Sequence, residues 1–413
     1  MAQFALKPQR PFFYHGKVPA SKSMMNRALV MQTYQADLKI LGESECEDVK
    51  LMQSAVARLG AKLKEPGAGY QVDCGHAGTV LRFLAFCLSR RPGRHRLTGR
   101  PRLFARPHQP ILQLLSALGV SSELKESGLQ ISGEGWRAPA RRLCVSRDQS
   151  SQFLSGLLLN AWDLPFALEL EWDGAVVSDG YGQMTLAMLR QAGMEIEMLG
   201  ETALRIPPWQ KIMAREVQVE PDLSSAFALA ALAVVGGEVR LCGLPRTSHQ
   251  PDMIFVDILK QMGARLERTE QSLFVARPPD ARQGMSLRGI ECNLSSAPDL
   301  FPVLAMLCAF ATGPSRLYGA PHLAHKESRR IEKTTELLNL IQVPFTVHRD
   351  GIALSGGQPV FPTEQVHFDP AEDHRMAMAA AVLAMAGVPM VLSDQQVVKK
   401  SFPEFWEIFA GAL

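Results

Sequence analysis

The 413-residue sequence predicts an α/β protein of two similar domains, each built from three units. Three observations predict it. A polar signature, an apolar helix, a Gly or Pro punctuation and a short β-rich run recur six times, beginning at Ser21, Gly78, Ser150, Ser224, Pro298 and Asp373. Amphipathic helices of a second kind lie between these copies and lead through a turn into alternating strands. The spacing of the copies is too long for a solenoid but suits one compact unit each. The segment from Val219 to Asp222 falls between the third and fourth copies and is the expected crossover.

In chain order the six copies are SKSMMNRALVMQTYQADLKIL, GTVLRFLAFCLSRRPGRHRLTG, SSQFLSGLLLNAWDLPFALEL, SSAFALAALAVVGGEVRLCG, PDLFPVLAMLCAFATGPSRLYG and DHRMAMAAAVLAMAGVPMVLS. The amphipathic helices are LMQSAVARLGAKLKE, ILQLLSALGVSSELKE, TLAMLRQAGMEIEML, IFVDILKQMGARLER and TTELLNLIQVPFTVH. Gly60, Gly119, Gly193 and Gly263 stand where their C-caps belong. LQISG, LRIPP, LFVAR and IALSGG supply strands. The longest apolar stretch, MAMAAAVLAMAGVPMVL, is broken by Gly387 and Pro389 and reads as a buried helix, a turn and a strand rather than a membrane span.

Composition narrows the function. Apolar residues make up 46% of the chain, enough for full-sized cores. Lys and Arg number 44 against 41 Asp and Glu, a near balance that argues against a nucleic-acid binder. The N-terminal residues lack a signal-peptide core. Seven dispersed cysteines without a C-x-x-C pair fit free thiols in a reducing cytoplasm, not a disulfide framework or a zinc site.

Each signature sits where an apolar helix begins, and such an end exposes unpaired N–H groups and the positive pole of the helix dipole. It is a natural anion site. Capping accounts for Ser and Asp at these positions. It does not account for Lys22, Arg27, Arg82, His374 and Arg375, whose charges oppose the dipole. Arg106 in ARPHQP, Lys326, Glu327 and Arg330 at the expected helix start in HKESRR, and Lys400 in VVKKSFPEF extend the basic set. The sequence therefore predicts a cleft lined by cations from both halves, holding two anionic small molecules.

These residues carry a family resemblance. VPASKSMMNRALV resembles the P-x-SKS-x-x-NRAL segment of the 3-phosphoshikimate 1-carboxyvinyltransferase (5-enolpyruvylshikimate-3-phosphate synthase) family. GHAGTVLRFLA is similar to its NAGT-x-x-R segment and GRPRLFARP to its G-x-PR-x-x-x-RP loop. SSQFLSGLLL, SDGY, VEPDLSSAFALAA, APDLFPVLA, HKESRRI, DHRMAMA and KSFPEFW follow in the family's order, over nearly the whole chain. The resemblance implies an inside-out α/β barrel of the enolpyruvyl transferase type: two domains of three βαβαββ units each, closing around a cleft. One domain would comprise residues 1–19 plus 221–413 and the other 20–220, with hinges near 19–20 and 220–221.

It also implies transfer of the enolpyruvyl group of phosphoenolpyruvate to the 5-hydroxyl of shikimate 3-phosphate, by addition and elimination, without metal or organic cofactor. Lys22, Asp299 and Glu327 would handle protons. Shikimate 3-phosphate would meet Lys22, Ser23, Arg27, Ser150, Ser151, Gln152, Ser178, Tyr181, Asp299, His322 and Lys326. Phosphoenolpyruvate would meet Lys22, His76, Gly78, Thr79, Arg106, Gln152, Arg330, Arg375 and Lys400. Shikimate 3-phosphate would start domain closure. The partners expected are these two substrates, with no nucleic acid or membrane, for a cytoplasmic monomer. His76 and His322 stand where Asn is usual, and Arg329 departs from an acidic or polar residue. Two rivals share much of this pattern: a UDP-N-acetylglucosamine enolpyruvyl transferase, most of which carry a Cys in the loop that here reads RPRLFARP, and a non-catalytic anion-binding paralogue, which would not need Lys22, Asp299, Glu327 and Arg375.

Overall fold

Five of the six signature helices are apolar nearly all round, and such helices are stable only in an interior; the first, Lys22–Gln32, carries a more polar face. The computed structural model, which describes residues 4–61, 69–146, 150–173, 179–278, 287–357 and 359–411, buries them accordingly. The chain forms two compact units, one of residues 20–219 and one of residues 1–19 with 220–413. Each has its own apolar core.

In the 20–219 unit, helices Lys22–Gln32, Gly78–Ser89 and Gln152–Leu159 pack against one another. Sheets surround them. One has the strand order Gln71–Asp73, Pro92–Thr98, Gly128–Glu134, Ser121–Lys125; its first pair is parallel and the others antiparallel. A second repeats that topology with Leu143–Ser146, Leu168–Asp173, Ala203–Ile206 and Glu197–Met198. Lys39–Leu41 pairs in parallel with Glu216–Gln218, so the unit's last strand completes its first sheet. Along Arg94–Leu97 exposed and buried residues alternate, because one sheet face covers the helices and the other meets water.

The discontinuous unit repeats the plan around helices Leu223–Gly236, Phe301–Ala309 and His374–Met385. One sheet runs Arg265–Arg268, Ser272–Ala276, Gly237–Cys242, Phe12–Gly16, the last pair parallel. Another runs Glu291–Asn293, Ser315–Tyr318, Gly351–Leu354, Phe345–His348. In the third, Met390–Leu392 lies between Val366–Phe368 and Phe4–Leu6. Helices inside and sheets outside give the inside-out α/β architecture. Four of the six sheets share the full four-stranded topology among the described residues; the other two are smaller.

The second set of helices also forms, as Glu47–Ala61, Gln109–Ala117, Asp179–Gln191, Phe255–Met262 and Arg330–Leu340. Gly263 caps its helix in the left-handed region, with φ of 91°. Gly60 does not: the Glu47–Ala61 helix continues through it. A glycine is tolerated inside a helix at a cost of about 1 kcal/mol, so the residue alone did not fix the end.

Candidate active site

In the discontinuous unit, the starts of the three central helices are tied together by side chains. Asp222 caps the Leu223–Gly236 helix by accepting from Ser225 N at 2.8 Å, and also accepts from Ser224 Oγ at 2.6 Å. Asp373 accepts from Arg375 N at 3.0 Å at the head of the His374–Met385 helix. Asp299 sits in the 3-10 turn Pro298–Leu300 before the third helix. Its carboxylate makes no cap there and turns to cations instead: Arg330 Nη1 at 2.8 Å, Lys326 Nζ at 3.4 Å and Arg375 Nη2 at 2.8 Å. Arg375 also donates to Ser224 Oγ at 3.1 Å, joining the first helix start to the other two.

Arg330 is the centre of this cluster and is 1% exposed. It donates to Asp373 through Nε at 2.8 Å and Nη2 at 3.3 Å, and to Glu327 through Nη2 at 2.9 Å. Lys400 Nζ reaches Glu327 at 3.3 Å, and Ser328 Oγ donates to Asp373 at 3.0 Å. Lys326 and Glu327 lie in the turn ahead of the helix, which begins only at Arg330, so of the three residues expected at the helix start only Arg330 is in the helix. That turn frees both side chains to reach across to Asp299 and Lys400. Four cations meet three carboxylates, so the group carries a net positive charge.

The electrostatics follow from the packing. Burial opposes ionisation of Asp299, but Arg375, Lys326 and Arg330 outweigh it and hold the carboxyl well below its usual range. Burial likewise opposes the Arg330 charge, and Asp373, Glu327 and Asp299 overcome it. His322 is buried beside Lys326, and desolvation first, the cation second, push its imidazole down to about 3. It is neutral at physiological pH.

The 20–219 unit is organised differently. Lys22 Nζ pairs with Asp48 at 3.0 Å, both nearly buried. Arg27 is 2% exposed and, among the described residues, donates to neutral acceptors: Thr185 Oγ1 at 2.7 Å, Ser23 O at 2.8 Å, Ser155 Oγ at 3.2 Å and Tyr181 O at 3.2 Å. Burial pulls its pKa down. A buried cation surrounded by neutral dipoles is a preorganised place for an anion. Arg82 donates to Ser150 Oγ at 3.1 Å, Gln152 Oε1 at 2.9 Å and Pro107 O at 3.2 Å. Gln152 Nε2 in turn donates to Thr79 Oγ1 at 3.3 Å, which joins two helix starts. Ser151 is buried ahead of the Gln152–Leu159 helix. His76 lies half-buried in the turn before the Gly78–Ser89 helix. Arg106 is buried against Gly78; a Cβ there would sit 2.8 Å from Arg106 Nη1, so the close approach requires glycine. Ser178 lies outside the described residues.

The sequence-predicted residues thus gather in two groups, one per unit. Asp299, Lys326, Glu327, Arg330, Arg375 and Lys400, with His322, form the first. Lys22, Arg27 with Ser23 and Tyr181, Arg82 with Ser150, Gln152 and Thr79, and Gly78 with Arg106 belong to the second. Sequence reasoning missed Asp373, Asp48, Thr185 and Ser155. Asp373 had a visible signal, an Asp directly before two basic residues at a helix start, but it reads as an ordinary cap. Among the described residues no cluster of three or more His, Cys, Asp or Glu could hold a metal ion. No helix is long and apolar enough to cross a membrane, again among the described residues.

A family model described as EPSP synthase (3-phosphoshikimate 1-carboxyvinyltransferase) matches residues 15–409. The chain belongs to the EPSP synthase family. A 3-phosphoshikimate 1-carboxyvinyltransferase of Methanoculleus marisnigri is 33% identical over 95% of this chain and 95% of its own. One of Syntrophobacter fumaroxidans is 32% identical over the same shares. An EPSP synthase structure from Acinetobacter baumannii superposes with a TM-score of 0.77 at 23% identity, covering 100% of this chain and 98% of that one. The enolpyruvyl transferase NikO from Streptomyces tendae superposes with a TM-score of 0.75 at 16% identity, covering 99% and 97%. These two likenesses bear on the fold. The EPSP synthase fold, with helices inside and sheets outside in two units, is the one described above.

Proposed function

We infer that this chain transfers the enolpyruvyl group of phosphoenolpyruvate to the 5-hydroxyl of shikimate 3-phosphate and releases phosphate. The observation that carries the reading is Asp299: a carboxylate at the meeting of three helix starts, held ionised by three cations in a chain of this family.

The chemistry needs a base to take the hydroxyl proton as its oxygen adds to the central carbon of phosphoenolpyruvate. An acid protonates the methylene carbon, making it a methyl group. A base then removes a proton from that methyl while phosphate leaves and the double bond returns. We assign proton handling to Asp299, Glu327 and Lys22. An anionic ligand that competes for Arg330 and Arg375 raises the proton affinity of Asp299, so substrate itself would tune the base. Lys326, His322 and the Ser23, Arg27, Ser150, Ser151, Gln152 and Tyr181 group, with Ser178, are assigned to shikimate 3-phosphate. His76, Gly78, Thr79, Arg106, Arg330, Arg375 and Lys400 are assigned to phosphoenolpyruvate, where Arg forks suit carboxylate and phosphate. The same reading makes the protein a cytoplasmic monomer, which light scattering checks as one chain mass.

A phosphate-release assay tests the function. Release should require both substrates, UDP-N-acetylglucosamine should not replace the acceptor, and Asp299→Asn should slow turnover by about a hundredfold or more. No release with both substrates would sink the proposal. Small-angle scattering should show compaction when both ligands are added.

A further inference from the structure

The loop that carries Arg106 is held by a histidine that the proposed function does not use. His108 is 1% exposed and lies between two helical segments, Pro101–Phe104 and Gln109–Ala117. Its Nε2 is 2.8 Å from Leu103 O, at the end of the first segment. Its backbone oxygen accepts from Ile111 N at 2.9 Å, in the first turn of the second. One residue therefore ties both ends of the short stretch Ala105–Arg106–Pro107. Arg82 holds the same stretch from the other side by donating to Pro107 O at 3.2 Å. The Phe104 ring packs beside the imidazole, with centroids 6.3 Å apart.

Arg106 needs this support. The Arg106 N to Leu103 O bond is long, at 3.4 Å, so the backbone turn alone holds the residue weakly. The guanidinium also packs close to Gly78, where there is no room for a Cβ. A loop that unwinds by an ångström would lift it from the helix start, and such misplacement weakens binding without touching the chemistry.

We propose that His108 is a positioning residue that latches the Arg106 loop through an Nε2–H bond to Leu103 O and so sets the affinity for phosphoenolpyruvate. The inference rests on the assignment of Arg106 to phosphoenolpyruvate. Burial first, and then the neighbouring Arg82 and Arg106 charges, hold the imidazole neutral, pushed down to about 3. A neutral ring has a single N–H to give, and the geometry places it on Nε2, leaving Nδ1 as a bare acceptor. A third cation beside Arg82 and Arg106 is thereby avoided.

The test combines kinetics with nitrogen NMR of the wild-type histidines. His108→Leu removes the donor, and His108→Gln keeps one at similar reach. The Leu variant should raise KM for phosphoenolpyruvate about three- to tenfold, the worth of one hydrogen bond. KM for shikimate 3-phosphate and kcat should change less than twofold, and the Gln variant should recover most of the loss. Equal rises in both KM values, no change in KM for phosphoenolpyruvate, or a Gln variant as poor as the Leu variant would overturn the proposal. The NMR spectrum of the unaltered protein decides the matter even if the Leu variant does not fold: a neutral Nε2–H ring is required, and an Nδ1–H or charged ring defeats the latch. Wild-type protein inactive with both substrates would defeat the proposed function instead, leaving the tautomer result to stand for the loop.

Discussion

Arg330 and Arg27 are both large cations sealed from water, yet they are satisfied in opposite ways. Arg330 is wrapped by Asp373, Asp299 and Glu327. Among the described residues Arg27 meets hydroxyls, backbone carbonyls and the face of the Phe83 ring, with no carboxylate bonded to it. The first is part of a network in which carboxylates offset most of the positive charge. The second keeps its charge unspent, and an incoming anion can claim it. On the function proposed above, the difference would separate residues that hold and move protons from residues that hold a negatively charged substrate.

Breaking the network should have the largest effect. Arg330→Met strands the buried Asp373 carboxylate, and loss of one partner from a buried pair costs about 3–5 kcal/mol. Denaturant unfolding should show that loss. Arg27→Met should cost no more than about 1 kcal/mol, because the acceptors it leaves keep other partners: Ser155 Oγ and Thr185 Oγ1 lie 2.8 Å apart, and Thr185 donates to Tyr181 O at 2.9 Å. Equal losses in the two variants would break the comparison.

Binding should show the reverse order. Removing Arg27 forfeits a charge-assisted contact of about 1.5–3 kcal/mol, so calorimetry should find affinity for shikimate 3-phosphate reduced by about ten- to a hundredfold. Unchanged affinity would mean that the uncompensated charge serves something else.

Acid should sharpen the contrast further. The neutral His322 and His108 each have folded pKa values of about 3, below the ordinary histidine value near 6.5. Their contribution is whole above that ordinary value and is lost as pH falls below it, in both units alike. Asp299 adds a second loss: its depressed pKa gives stability that is present above about 3.9 and disappears as pH falls toward the folded value. Unfolding followed from pH 7 to pH 3 should therefore steepen near the acid end, and Asp299→Asn should flatten that end only. The smallest effect is a gain. Gly60→Ala should stabilise by about 1 kcal/mol, since the residue is helical and no described atom lies within 4 Å of the new Cβ.

The fold was legible because the recurring apolar helices announce themselves by composition, and three of the six begin at a polar side-chain cap, Ser21, Asp222 or Asp373. The cations of the site were legible for the opposite reason: Lys22, Arg27 and Arg375 violate that chemistry locally, and local violations mark function. What stayed hidden was partnership. Asp48 follows Lys22 in the chain by a helix and a strand, and nothing in the spacing says that they meet. Asp373 looks like a cap and is one, but its second task, bracing Arg330, depends on a residue from another helix. Thr185 and Ser155 are small polar residues on an amphipathic and an apolar helix, indistinguishable by type from many others until Arg27 is seen to bond both.

The pairing of Phe12–Gly16 with Gly237–Cys242 has a bearing on how the protein is made. A ribosome delivers the first of these strands early and its parallel neighbour only after the whole of residues 20–219 has emerged. During that interval a segment bearing Phe12 and Phe13 waits without its strand partner, and exposed edges invite self-association. The contiguous unit, by contrast, has all its own pieces and can assemble while translation continues. Chains stalled before and after residues 237–242 have emerged from the ribosome should show the N-terminal strand changing from protease-sensitive to protected, a late fastening that makes the first residues synthesised among the last to find their place.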